Sequence, residues 1–255
     1  MEIKYNIQGL LIYQTMVMYL LALLVGLLKY RKTSLVIYFI GFLTAFVTIA
    51  YRGINVNHFP LQNLFEVFLF LGGIAFVISY LSMKLLKIEK FGSDILIGII
   101  ILFPAGFVFS DQPQDLPPAL QSVLFVPHVL IYMLAYFVLA KAAVVALQQL
   151  TGNGDFELSS YKLVCLGFPL LTSGLVLGCI WAKLAWSDYW SWDPKELWSL
   201  ATWLVYIGYF HFKAMYPQNK KLNSVWVIAG FIFVIITLLW VNLSKIFAGL
   251  HNYAV

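Results

Sequence analysis

Four histidines are present, His58, His128, His211 and His251. Neutral imidazole is a common metal ligand and a standard axial ligand of haem iron. The two cysteines, Cys165 and Cys179, lie 14 residues apart in one apolar segment. With no Cys-x-x-Cys, a thioredoxin-like redox pair or a thiolate zinc site is disfavoured. With no Cys-x-x-Cys-His, the chain is not itself a c-type cytochrome. The second chemical resource is aromatic: six of the eight tryptophans fall between Trp181 and Trp203. A membrane-interface belt would spread tryptophan over many span ends and both leaflets. Concentration in one segment favours a platform for a flat, apolar, conjugated macrocycle. No side chain stands out as a general acid, general base or nucleophile, so no catalytic residue is assigned.

Spacing places these groups further. Trp186 and Trp190 are i, i+4, so a short interfacial helix would carry both on one face. Trp181 and Trp192 flank them, Tyr189 adds surface, and Lys183 and Lys195 stand where they could meet carboxylates. Asp193, Pro194 and Glu196 read as N-cap, N1 and N3 of a capping box that opens the next helix. Asp193 therefore shapes the end of the platform. His128 follows Pro127 at the start of an apolar run, and His251 lies just past the end of the last one. Together they could ligate one iron from two sides, as metal ligands at the depth of the tryptophans. His211 lies 18 residues after Asp193, about 27 Å along a helix. If it binds iron, it does so at a second, inner station, with its partner imidazole on another polypeptide. His58 reads equally as loop structure or as a functional group. Glu66, placed one and a half turns into a span, is expected to pair with Arg52 or to bond to a neighbouring helix, because a buried lone carboxylate is costly.

The elements that hold these groups are apolar. Of 255 residues, 62% are hydrophobic, 17% aromatic and 11% charged, against about 25% charged in a soluble domain. A spanning helix needs about 20 apolar residues. Eight runs qualify, near 9–28, 34–51, 62–83, 93–110, 124–147, 162–181, 195–215 and 224–247. The net charge of +5 reads as membrane orientation and not as a nucleic-acid surface. Lys29, Arg31, Lys32, Lys84, Lys87, Lys90, Lys141, Lys162, Lys213, Lys220 and Lys221 fall on one side, which the positive-inside rule makes cytoplasmic. Lys4, Arg52, Lys183, Lys195 and Lys245 fall on the other. Both termini then face outward. The first apolar run lacks a small-residue cleavage site and reads as a retained span. The expectation is an all-α polytopic membrane protein forming one domain over 1–255, with about eight transmembrane helices. A Trp-rich interfacial helix is expected in an outward loop, 181–198.

The stretch WAKLAWSDYWSWDPKELWSLATWLVYIGYFHFK, Trp181 to Lys213, resembles the tryptophan-rich WWD signature of haem-handling membrane proteins. WSWDPKELW is similar to the CcsA (ResC) family of the System II cytochrome c synthetase. NHFPLQNLFEVFLFLG, LQSVLFVPHVLIYMLAY and GLHNYA resemble further segments of that family, in order along nearly the whole chain. Ser187, where the signature usually has Gly, and the Phe212-Lys213 that follows His211 depart from it. The resemblance implies cytochrome c biogenesis: haem b (iron protoporphyrin IX) held at the outer membrane face for thioether attachment to the Cys-x-x-Cys-His of an apocytochrome c. By position, His128 and His251 match the external axial ligands and His211 the intramembrane one. The Trp181, Trp186, Trp190, Trp192 and Asp193 segment matches the platform. It further implies a haem lyase complex with a CcsB/ResB membrane partner, in a bacterial cytoplasmic membrane or a thylakoid membrane. A haem exporter without a ligation role and a b-type electron-transfer cytochrome are the alternatives, although no span carries the two histidines of the latter.

Overall fold

The computed structural model describes residues 3–88, 91–152, 154–243 and Leu250. His251, Lys90 and Lys245 lie outside the described residues. Among the described residues the structure is helical with no strand, as expected where a bilayer leaves backbone groups only one another to bond. The helices are α1 (Ile7–Leu27), α2 (Arg31–Val56), α3 (Leu64–Gly73), α4 (Ala75–Leu86), α5 (Phe91–Phe107), α6 (Phe125–Thr151), α7 (Glu157–Trp186), α8 (Pro194–Met215), α9 (Lys220–Ile235) and α10 (Val241–Leu243). A 3-10 turn (Pro118–Leu120) precedes α6, and a π turn (Ile236–Trp240) joins α9 to α10.

Six helices are long and apolar enough to cross a membrane: Ile7–Leu27, Arg31–Val56, Leu64–Leu86, Phe125–Thr151, Glu157–Trp186 and Lys220–Leu243. Each of the eight expected runs has a helical counterpart, and two of those fall short of that measure. At 17 residues, α5 spans about 25 Å. α8 is long enough, but Lys195, Glu196, His211, Lys213 and its tyrosines lower its apolar character.

Two compact units make up the chain, Met1–Leu116 and Pro117–Val255. In the first, α1 to α5 pack around Tyr19, whose hydroxyl donates to the Gly72 carbonyl (3.0 Å). Asn63 caps α3 by accepting from the Glu66 N–H (3.0 Å). Glu66 thus sits in the first turn of its helix, not one and a half turns down. Arg52 lies inside α2. The two are buried and paired, Arg52 Nε to Glu66 Oε1 at 2.9 Å. Glu66 Oε2 also accepts from the Gln62 N–H (2.8 Å), and Arg52 Nη1 donates to the Asp111 carbonyl (2.6 Å).

In the second unit α6 and α7 form an antiparallel hairpin. Leu139 lies against Gly167, Tyr132 against Gly174 and His128 against Gly178; each advance along one helix matches a retreat along the other. Lys141, expected beside a cytoplasmic turn, is instead well inside α6 and fully buried. α6 runs on to Thr151, so the turn begins ten residues later.

The expected interfacial helix over the tryptophans does not form. α7 continues through Trp186 and stops where Ser187 turns left-handed (φ 69°). The Ser187 N–H returns to the Lys183 carbonyl (3.1 Å), and Lys183 Nζ bonds the Ser187 carbonyl (2.6 Å). Trp192 is also left-handed (φ 57°), and Pro194 disfavours a helical Asp193. Residues 187–193 are therefore a non-helical strap, and the i, i+4 spacing of Trp186 and Trp190 is not a helix face.

Candidate functional site

His128 is the fourth residue of α6. Its Nδ1 lies 2.9 Å from the Gly174 carbonyl oxygen. A carbonyl only accepts, so Nδ1 carries the proton, and in the neutral ring Nε2 carries the lone pair. This is the arrangement in which a backbone carbonyl orients a metal-ligating histidine and raises its basicity.

Sterics and stacking hold the ring as well. A Cβ on Gly178 would meet His128 Cε1 at 2.6 Å, so the imidazole rests directly on the α7 backbone. Gly174 and Gly178 form a Gly-x-x-x-Gly pair (GLVLG) that lets helices approach closely. The ring stacks on Trp181 (centroids 5.6 Å apart, planes 17°) and meets Tyr132 edge-on at 5.1 Å. Trp181 is only 1% exposed, and its indole N–H donates to the Ala119 carbonyl (3.1 Å). Trp181 is therefore a wall behind His128 and not an open face. Trp186 packs edge-on against it at 4.7 Å.

Beyond the end of α7 the aromatic surface opens. Trp190 and Trp192 meet at 5.9 Å and 87°. Trp192 is 66% exposed on its left-handed backbone. A bulky residue held at positive φ is costly and is typical of sites where strain serves a function. Tyr189 is exposed under the Lys183 ammonium (5.4 Å), so Lys183 is spent on its own helix end and neighbour. Lys195 Nζ donates to Asn242 Oδ1 at 2.8 Å. Neither lysine is held out for a carboxylate.

The capping box at the start of α8 has the expected form. Asp193 accepts from the first-turn backbone, Pro194 opens the helix, and Glu196 Oε2 accepts from the Asp193 N–H (3.2 Å) and the Ser191 N–H (2.8 Å). Asp193 Oδ1 also accepts from the Leu250 N–H at 2.6 Å. The residue just before His251 is thus tied to the strap that carries the tryptophans. His211 is elsewhere: exposed on α8, near its C-terminal end, with Nδ1 2.9 Å from the Ile207 carbonyl. That bond again puts the proton on Nδ1. In the first unit His58 Nδ1 faces the Phe59 carbonyl (3.1 Å).

So the structure gathers His128, Trp181 and Trp186, with Asp193 placed at the clasp on Leu250, and leaves His211 apart. Sequence reading missed Gly174 and Gly178, although GLVLG is a readable close-packing signal. It also missed the Ala119 carbonyl and Asn242, for which no local pattern exists.

Residues 61–248 match the family model described as Cytochrome C assembly protein. His128, His211 and the tryptophans fall inside that stretch. The cytochrome c biogenesis protein CcsA of Guillardia theta is 31% identical over 98% of this chain and 96% of its own length. That of Prochlorococcus marinus (strain MIT 9515) is 30% identical over 96% and 92%. Among solved structures, the cytochrome c heme lyase CcmF superposes with a TM-score of 0.70 at 17% identity, covering 93% of this chain and 48% of that one. The helical order of this chain is thus also present in about half of a larger protein. Matched over most of its length by the model and over nearly all of it by curated relatives, the chain belongs to the cytochrome c assembly protein family and is a cytochrome c biogenesis protein.

Proposed function

We propose that the chain holds haem b as cargo at the outer face of a membrane and presents it to apocytochrome c, as one subunit of a haem lyase complex. The observation that carries this reading is His128, with its Nδ1–H committed to the Gly174 carbonyl and its ring fixed between Gly178 and Trp181. Such an imidazole is oriented in advance, so ligation costs little further ordering. His251 supplies the opposite axial ligand, from a segment tied to Asp193 at Leu250. Trp186, Trp190 and Trp192 line the macrocycle edge, while Trp181 backs the ligand.

Two imidazoles saturate the iron and limit its reaction with oxygen. The histidine of an incoming Cys-x-x-Cys-His displaces one of them. Each cysteine S–H then adds across a vinyl C=C, sulfur forming the new C–S bond and hydrogen ending on the adjacent carbon. The reactive thiols belong to the cytochrome, and this chain contributes position and ligand exchange. His211, exposed with its proton on Nδ1, serves an inner station completed by an imidazole of a CcsB/ResB-type partner. All eight long helical segments cross the membrane, with both termini outward, and residues 1–255 act as one haem-handling domain. The membrane is a bacterial cytoplasmic membrane, or a thylakoid membrane in a photosynthetic cell.

Covalent cytochrome formation in cells tests this. With the partner subunit present, His128→Ala is expected to abolish c-type haem staining, and imidazole in the medium to restore part of it. Normal staining in His128→Ala cells would contradict the reading.

A further inference from the structure

α9 does not end as a plain helix. Its continuation through Ile236–Trp240 is a π turn, after which Val241–Leu243 resumes α-helical form. One extra residue in the turn rotates everything beyond it by about 100° relative to α9. At this level Thr202 and Thr237 hydroxyls meet at 3.3 Å, pinning the turn to α8.

Asn242, two residues past the turn, is fixed at both ends of its amide. Its Nδ2 donates to the Leu238 carbonyl (2.6 Å), and its Oδ1 accepts from Lys195 Nζ (2.8 Å). Eight residues on, the Leu250 N–H donates to Asp193 Oδ1 (2.6 Å). Asp193 and Lys195 belong to the same first turn of α8, set by the capping box. The cap itself needs the Asp193 and Glu196 side chains but not that of Lys195. A part-buried ammonium is costly unless bonded, and Asn242 satisfies it across to the last helix.

We infer that Lys195 and Asn242 are positioning residues for the outer ligand. With Asp193 they clasp the C-terminal segment at residues 242 and 250, ahead of His251. The inference rests on the reading of His251 as a haem ligand.

The test uses the full chain co-purified with its partner, as Lys195→Met, Asn242→Leu, Lys195→Arg and His251→Ala. Hydrogen exchange of the C-terminal peptide is measured without haem, and the spin state of bound haem with and without imidazole. Lys195→Met and Asn242→Leu are each expected to speed exchange and to shift haem toward high spin at unchanged haem content. Ligand affinity should fall roughly 10-fold, as on losing the outer support of a ligating histidine. Added imidazole should reverse the spin change. The double variant should be no worse than either single, and Lys195→Arg, which keeps a donor, should stay low-spin. If Lys195→Met does not accumulate, Asn242→Asp, which keeps an acceptor for Lys195, is expected to remain low-spin with slow exchange. Wild-type exchange and spectra in Lys195→Met, beside a high-spin His251→Ala, would overturn the clasp alone. An unchanged spectrum in His251→Ala would instead remove the ligand reading and the positioning role with it.

Discussion

His128 donates Nδ1–H to a backbone carbonyl, stacks on a buried indole and rests on a glycine. Each contact removes one freedom of the ring: tautomer, tilt and depth. The glycine is the part most open to a clean test, because a methyl at Gly178 would sit 2.6 Å from the ring. Gly178→Ala must push the imidazole off Trp181 or off the Gly174 carbonyl. The expected outcome is a high-spin haem complex and a loss of stability of about 1–3 kcal/mol, as for other overpacked sites. Gly167→Ala is the control. Its Cβ would meet Leu139 at 2.7 Å on the same helix face, so it should cost similar stability while leaving the spectrum unchanged. A low-spin Gly178→Ala complex would show that the ring position does not matter. The histidine and the tryptophan cluster were both legible from residue type. The contacts that orient them were not, since a carbonyl such as that of Ala119 leaves no trace in side-chain chemistry.

At the scale of elements, helix ends decide where the polar groups go. The start of α8 was readable because Asp193, Pro194 and Glu196 each satisfy a distinct need of a helix N-terminus. The preceding strap was misread for an equally local reason. An i, i+4 pair marks a face only if a helix exists, and Ser187 and Trp192 both adopt left-handed backbone. Lys141 was misplaced because a charge inside an apolar run resembles a stop signal, and only tertiary packing shows it to be buried. The Arg52–Glu66 pair was anticipated from cost alone, a carboxylate among apolar residues needing a partner. It joins α2 to the first turn of α3 and reaches the Asp111 carbonyl. Arg52→Ala leaves Glu66 buried and uncompensated, and is expected to destabilise the protein by about 3–5 kcal/mol. The double change Arg52→Met with Glu66→Leu should cost less than Arg52→Ala. Thermal unfolding in detergent checks both. A double variant less stable than Arg52→Ala would mean that the pair contributes more than mutual neutralisation.

For the whole molecule, hydropathy was a sufficient guide to the order of helices, because lipid contact demands long apolar runs. Six of the eight helical segments are long and apolar enough to cross a membrane. α8 carries His211, and its polar content is what sets it apart from an ordinary span. The family match and the superposition on CcmF place the same helical order in proteins of cytochrome c assembly. What distinguishes a haem-presenting subunit from a scaffold is an axial ligand ready on the outer side. The most direct measurement is the reduced absorption spectrum of the chain purified with its partner, as wild type and as His128→Ala, with and without imidazole. A low-spin bis-imidazole spectrum is expected for wild type, lost in His128→Ala and recovered on adding imidazole. Identical low-spin spectra and equal haem content in both proteins would contradict the assignment of His128 as an axial ligand.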